Sequence, residues 1–279
     1  MRETEIENLE IELLLDAVFY RYGYDFRSYA RASISRRARQ FLIKSGCHSI
    51  SEMIPKLLRD EAFFEGLAQA FSITVTEMFR DPHVYLSIRK NVVPLLKTYP
   101  FTKIWHVGCA TVEEVYSLAI VFKEEGLYDR ATIFATDFND TALAKAKEGI
   151  YPLDLAKKYT KTYQQAGGKD SFSKYYQADY DSMAVNQSLK KNITFANYNL
   201  VTDEVFGEMH LIVCRNVLIY FDRALQNRAL KLFSASLATG GFLCLGDKES
   251  LRFTGVVDDF ATVDEKGRIF KKLPGRSEA

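Results

Sequence analysis

The sequence predicts an α/β protein, a mostly parallel sheet flanked by helices, preceded by a separate all-helical domain. Three observations carry this reading. The first eighty or so residues show helical periodicity and no strand pattern. After Pro100, short apolar runs alternate with helical runs, as in a parallel sheet covered on both faces. Near the end, residues 260–263 and 268–271 flank Asp264-Glu265-Lys266-Gly267, which reads as a β-hairpin. The expected division is a helical domain at 1–85 and an α/β domain at 86–279.

In chain order, Ile6, Leu9, Leu13 and Val18 recur at roughly helical spacing. The polar break Tyr22-Gly23-Tyr24-Asp25 ends that helix, and a second runs from about residue 26 to 44. Ser49-Ile50-Ser51-Glu52 has the form of a capping box, with apolar Met53, Ile54, Leu57 and Leu58 behind it. A short helix at about 62–71 completes the module. In the second domain, residues 103–107 (KIWHV) form a strand that turns at Gly108-Cys109-Ala110-Thr111 into a helix of about 113–122. Residues 132–136 (TIFAT) form the next strand, ending at Asp137, and Asn139 or Asp140 caps a helix through Lys147. A strand at 211–214, a helix from its cap Asp222 to about Leu237, and a strand at 240–246 (GGFLCLG) follow. Between 149 and 191 the alternation is lost. That stretch is polar and tyrosine-rich, and reads either as a flexible loop or as a small antiparallel excursion on one edge of the sheet.

Composition excludes several functional classes. Lys and Arg number 37 against 36 for Asp and Glu, so overall charge points to neither nucleic acid nor a membrane surface. No run approaches the eighteen or so apolar residues of a membrane span, and the acidic, helix-patterned start is unlike a signal peptide. Cys47, Cys109, Cys214 and Cys244 are scattered, with no paired spacing and no adjacent histidines. That usage suits reduced thiols in a cytoplasmic protein and argues against a zinc site.

Chemistry concentrates where the α/β strands end, because ligands of an open parallel sheet bind beyond the carboxyl ends of its strands. Gly108 ends the first strand, where a residue without Cβ lets the backbone pass close to a ligand. The three-glycine dinucleotide pattern is absent. Asp137 ends the second strand, placed to accept hydrogen bonds from both hydroxyls of a ribose; a helix cap or turn is the alternative. Glu113 and Glu114 open the following helix, where negative charge is favourable in itself. For Glu113 the functional alternative is a partner for a cationic amino group.

Four segments together resemble the CheR-type chemotaxis receptor methyltransferases: Thr76-Glu77-Met78-Phe79-Arg80-Asp81, GCATVEEVYSLAI from Gly108, FATDFN from Phe134, and CRNVLIYFD from Cys214. Their order and spacing fit across nearly the whole chain. The resemblance implies a class I S-adenosylmethionine-dependent methyltransferase fold, Rossmann-like, with a seven-stranded sheet closed by a C-terminal antiparallel hairpin. It implies a small inserted β-subdomain at about 151–191. It also implies transfer of a methyl group to glutamate side chains of a methyl-accepting receptor, with S-adenosylhomocysteine as product and no metal. By the same resemblance Thr74, Thr76 and Arg80 would touch the methionine end of the cofactor, Glu113 its amino group and Asp137 its ribose. Asn199 and Leu200 would border the adenine, Arg215 and Asn216 would follow the fourth strand, and Tyr220 would face the transferred methyl. Gly108 completes the cofactor set, and Arg80 and Tyr220 are the catalytic candidates. The protein is expected to act as a monomer, without nucleic acid or membrane insertion.

The substrate surface has its own clue. Between residues 21 and 44 stand seven basic side chains, Arg21, Arg27, Arg31, Arg36, Arg37, Arg39 and Lys44, against the single acid Asp25. On a continuous helix turning about 100° per residue, Arg27, Arg31, Arg36 and Arg39 share one half of the surface. A solvated face is the ordinary reading of such a run. Beside the resemblance, docking of a glutamate-rich receptor helix is the sharper one. The chain departs from the family at Val112, where glycine is usual, and at Val115, often proline. His210 stands for a common acid, and Gly246-Asp247-Lys248-Glu249 for Gly-x-Ser-Glu. The stiff β-branched Val112 raises the alternative of a non-catalytic relative that docks receptors or senses the cofactor.

Overall fold

The computed structural model describes residues 2–72 and 76–275, which form two compact units. The first holds residues 2–72 together with 219–228, and the second holds 76–218 and 229–275.

The helical unit contains α1 (Glu3–Tyr22), α2 (Arg31–Ser45), α3 (Ile50–Arg59) and α4 (Glu61–Phe71). Its caps follow the sequence. Ser49 Oγ accepts from the Glu52 N–H at 3.3 Å, while Glu52 reaches back to the His48 N–H at 2.8 Å. Asp60 accepts from the Phe63 N–H to start α4. Helix α1 is apolar on two opposite sides: Ile11, Leu14, Leu15 and Val18 are buried, whereas Ile6, Leu9 and Leu13 are 47, 46 and 49% exposed. The regular spacing of Ile6, Leu9 and Leu13 therefore marks the outer face, and only Val18 of that series reaches the core. Helix α2 starts five residues later than the sequence pattern suggests. Residues 28–30 are instead extended against 220–222: the Ala30 N–H donates to the Tyr220 carbonyl at 2.7 Å and the Asp222 N–H to Ser28 at 2.9 Å.

The second unit begins earlier than the expected boundary at 85. Helix α5 (Pro82–Ser87), a π-helical turn over Ile88–Val92 and α6 (Val93–Leu96) run on as one segment, whose Val84, Tyr85 and Ile88 are buried in the α/β core. The sheet strands are β1 (Thr102–Val107), β2 (Ala131–Asp137), β6 (Ile193–Asn197), β7 (Met209–Cys214), β8 (Leu237–Leu245), β9 (Phe260–Asp264) and β10 (Ile269–Lys272). Their order is β6-β2-β1-β7-β8-β10-β9, parallel up to β8 and antiparallel through β10 and β9. The chain steps outward from β1 through β2 to β6, then returns to place β7 on the other side of β1. The order reverses there, so the crevice opens beyond the ends of β1 and β7. Helices α7 (Glu113–Glu124) and α8 (Asp140–Glu148) follow β1 and β2, and α10 (Arg223–Ser236) precedes β8. Asn139 caps α8 through the Ala142 N–H at 3.0 Å, and Asp222 accepts from the Leu225 N–H at 2.8 Å.

The tyrosine-rich stretch resolves into a three-stranded antiparallel sheet of β3 (Ile150–Pro152), β4 (Tyr176–Asp179) and β5 (Ser182–Val185), with α9 (Ala156–Gln165) between β3 and β4. Its tyrosines explain its composition. Tyr159, Tyr163 and Tyr175 are buried, and the Tyr163 and Tyr175 hydroxyls both donate to Glu124 at the end of α7. Among the described residues no helix is long and apolar enough to cross a membrane. His210 is structural: its Nδ1 accepts from the Lys103 N–H at 3.0 Å, and its ring packs edge-on against Tyr99.

Candidate cofactor site

The loop between β1 and α7 is built backbone first. Cys109 donates its N–H to the Thr136 carbonyl, Ala110 donates to Asp137 Oδ2 at 2.9 Å, and Val112 donates to the Cys109 carbonyl. The loop is thereby stapled to the end of β2. Gly108 has φ +64°, and a Cβ there would stand 2.5 Å from Val217 Cγ2, so the glycine is required by its neighbour as well as by its conformation. From the inserted sheet, the Tyr151 hydroxyl donates to the Thr111 carbonyl at 2.7 Å and braces the same loop.

Val112 occupies the N-cap of α7 at φ +75°, a left-handed conformation that a β-branched residue adopts only under strain. Glycine is the natural residue for that geometry, which gives a physical reason for the family's usual choice. The Val112 side chain is fully buried in the core, so its bulk is absorbed there.

Two carboxyls stand at this loop. Asp137 is buried, and its oxygens accept from the Ala110 and Asn139 N–H groups at 2.9 and 3.0 Å. Burial pushes its carboxyl up, and the backbone donors oppose that shift. Glu113, at the start of α7, is pushed up to about 7, chiefly by burial, while Thr111 Oγ1 donates to it at 2.7 Å. Beyond β6, whose Asn197 lies opposite Asp137, the Tyr198 N–H donates to the Asp137 carbonyl. Asn199 and Leu200 follow directly. The Asn199 side-chain oxygen accepts from Val201, and Leu200 is buried.

The segment that carries Thr76 and Arg80 hangs from α7 and α9. The Phe79 N–H donates to Ser117 Oγ at 2.8 Å, and Thr162 Oγ1 donates to the Met78 carbonyl at 3.0 Å. Phe79 and Asp81 both have positive φ. Among the described residues the Arg80 guanidinium makes no hydrogen bond or ion pair, though its charge favours the ionised form of Glu114. Thr74 lies outside the described residues.

Arg215 has structural partners that the sequence does not indicate. Its side chain is 1% exposed, and its donors go to Glu114, to Asp81 Oδ2 at 2.6 Å and to the Arg80 carbonyl at 3.3 Å. It clamps the Arg80 segment to α7. Glu114, buried and paired, is its counterion. Beneath the clamp, His106 is neutral, pushed down to about 3 by burial and then by Arg215. Asn216 follows at φ +60°. Among the described residues Thr76 Oγ1 and Asn216 Oδ1 are buried polar atoms with no protein partner.

In the helical unit, Tyr220 is half-buried with the Arg37 guanidinium over its ring at 5.6 Å. Arg37 also donates to the Ala70, Phe71 and Ser72 carbonyls at the end of α4. The four arginines that the sequence suggests for docking do not form the free stripe that a continuous helix would give. Arg27 precedes α2 and binds Asp25 and Asp16; Arg31 reaches Glu12 and Asn8; Arg39 pairs with Glu7. Acids of α1 thus face the basic run, and Arg36 alone of the four is exposed without an ion pair among the described residues.

Sequence reasoning missed the Arg215–Glu114–Asp81 clamp and Glu249, whose buried carboxylate accepts from the Asn216, Val217 and Gly246 N–H groups. Gly246-Asp247-Lys248-Glu249 was visible as a motif, but nothing local shows where its carboxylate reaches.

The chain is similar to known proteins over nearly its whole length. Residues 74–268 match the family model of the CheR methyltransferase SAM binding domain, and residues 9–72 match that of the CheR methyltransferase all-alpha domain. A "Putative methyltransferase Cher3" of Pseudomonas putida is 47% identical over 97% of this chain and 98% of its own. Proteins named "Chemotaxis protein methyltransferase" from Borreliella burgdorferi and Listeria monocytogenes are 29 and 26% identical. They cover 87 and 82% of this chain, and 88 and 85% of their own lengths.

Proposed function

This chain belongs to the CheR methyltransferase family and uses S-adenosylmethionine, and on that premise we propose that it methylates glutamate side chains of a methyl-accepting chemotaxis receptor. The observation that carries the cofactor half of this reading is the set of polar groups that follow β1, β2 and β7 and stand on the segment before α5. Asp137 and Glu113 offer acceptors, and Thr76 Oγ1 and Asn216 Oδ1 are buried without protein partners. A carboxylate has about four lone-pair sites, so Asp137 keeps acceptor capacity beside its backbone hydrogen bonds and fits a ribose diol. An ionised Glu113 fits the ammonium of the methionine part.

When bound, S-adenosylmethionine supplies a methyl group on a sulfonium, whose departure leaves a neutral thioether. A glutamate side chain is ionised near neutral pH, so the protein needs no strong base to activate it. What its own residues supply is alignment and exclusion of water. Arg80, with its guanidinium unpaired and its backbone clamped by Arg215, suits a carboxylate. Tyr220 is assigned to the nucleophile on the family resemblance.

The receptor half rests on the arginines of α2. Exposed ion pairs add little to stability, so Arg31 and Arg39 exchange the acids of α1 for those of a receptor at low cost, and Arg36 is available as it stands. Calorimetric titration with S-adenosylmethionine, followed by turnover on a receptor fragment, tests both halves. Arg80→Ala and Tyr220→Phe are expected to lower turnover with the fold kept. Unchanged turnover in both would remove these assignments.

A further inference from the structure

Strands β7 and β8 end side by side, with Cys214 opposite Leu245, and the chain leaves them through two loops, 215–217 and 246–249. One side chain joins these loops. The Glu249 carboxylate is 4% exposed; Oε2 accepts from the Asn216 N–H at 3.1 Å and the Gly246 N–H at 2.6 Å, and Oε1 accepts from the Val217 N–H at 2.9 Å. Its own N–H closes the turn on the Gly246 carbonyl at 2.9 Å. A Cβ on Gly246 would fall 2.8 Å from both the Asn216 nitrogen and Glu249 Oε2, so only glycine lets the loops approach this closely. Val217, held by Oε1, is the residue whose side chain lies against Gly108.

Asn216 sits at φ +60°. Asn tolerates that conformation better than other non-glycine residues, but its surroundings must select it over the more favourable right-handed and extended regions. Its own side-chain oxygen has no protein partner among the described residues, so the constraint comes through the backbone. We propose that Glu249 is a positioning residue for the cofactor: by gripping three backbone N–H groups it fixes Asn216 in the left-handed conformation that presents the Asn216 amide to S-adenosylmethionine. The inference rests on the cofactor role given to Asn216 above.

Titration with S-adenosylhomocysteine, read by calorimetry on the full chain, tests it with the wild type, Glu249→Gln, Glu249→Ala, Asn216→Ala and the Glu249→Ala/Asn216→Ala double variant. Losing hydrogen bonds to a charged group is expected to weaken binding by about tenfold in Glu249→Ala. Glu249→Gln keeps one acceptor oxygen and falls between; it also carries the test should the alanine variant not fold. Because Glu249 acts through Asn216, the double variant is expected to bind no more weakly than Asn216→Ala alone. Wild-type affinity in both Glu249 variants overturns the proposal. So do additive losses in the double variant, which would mark Glu249 as merely structural. A folded wild type that binds no S-adenosylhomocysteine refutes instead the reading of the site on which the proposal rests.

Discussion

Glu113 shows how burial tunes a single group in this site. Its carboxyl rises from 4.5 to about 7, so the folded state favours the protonated form. Its contribution to stability is therefore full at low pH and is lost as pH rises through about 7. In the role proposed for Glu113, cofactor binding has the opposite sign, because an ammonium partner needs the ionised carboxylate. Affinity for S-adenosylhomocysteine is expected to rise between about pH 6 and 8, with Glu113→Gln weaker and flat across that range, as read by calorimetry at each pH. Val112 makes a second point at this scale. Glycine there would relieve about 1–2 kcal/mol of left-handed strain but remove a buried side chain worth about 1.5–3 kcal/mol. Val112→Gly is thus expected to be slightly less stable in urea unfolding, with cofactor affinity unchanged; a large gain in affinity would mean that the valine crowds the ligand.

At the scale of elements, what the sequence made legible was local. The strands at β1, β2 and β7 and the caps Ser49, Asn139 and Asp222 depend on neighbours a few residues away, and they stand where the sequence pattern put them. What it did not reveal depends on distant partners. Periodicity cannot choose between the two apolar sides of α1; packing within the helical unit does. Residues 28–30 are extended because they pair with 220–222, almost two hundred residues on. The clamp is of the same kind, joining β7 to α7 and to the Arg80 segment. Arg215→Ala leaves Glu114 buried without its partner, and a loss of about 3–5 kcal/mol is expected in urea unfolding. Arg215→Met with Glu114→Leu is expected to recover most of it, since no buried charge is then left unpaired. Equal losses in both variants would show that the clamp is not held by charge pairing.

On the scale of the whole molecule, net charge is close to zero, so the proposed docking on an acidic receptor depends on where positive charge is placed. Arg36→Glu is expected to lower kcat/KM for a receptor fragment, most strongly at low salt, with affinity for S-adenosylhomocysteine unchanged. An effect independent of salt would assign Arg36 a role other than docking. Cofactor binding was legible from strand-end residues and motif together. The basic run of α2 was legible but its ion pairs were not, because the acids of α1 that face it come from a separate helix. The central claim concerns the group that receives the methyl. The most direct measurement incubates the protein with S-adenosylmethionine and a receptor cytoplasmic fragment, then maps the added methyl groups by mass spectrometry before and after mild alkali. Alkali-labile methyl esters on glutamate side chains are the expected result. Methyl groups on any other side chain, or none from a protein that binds the cofactor, would contradict it.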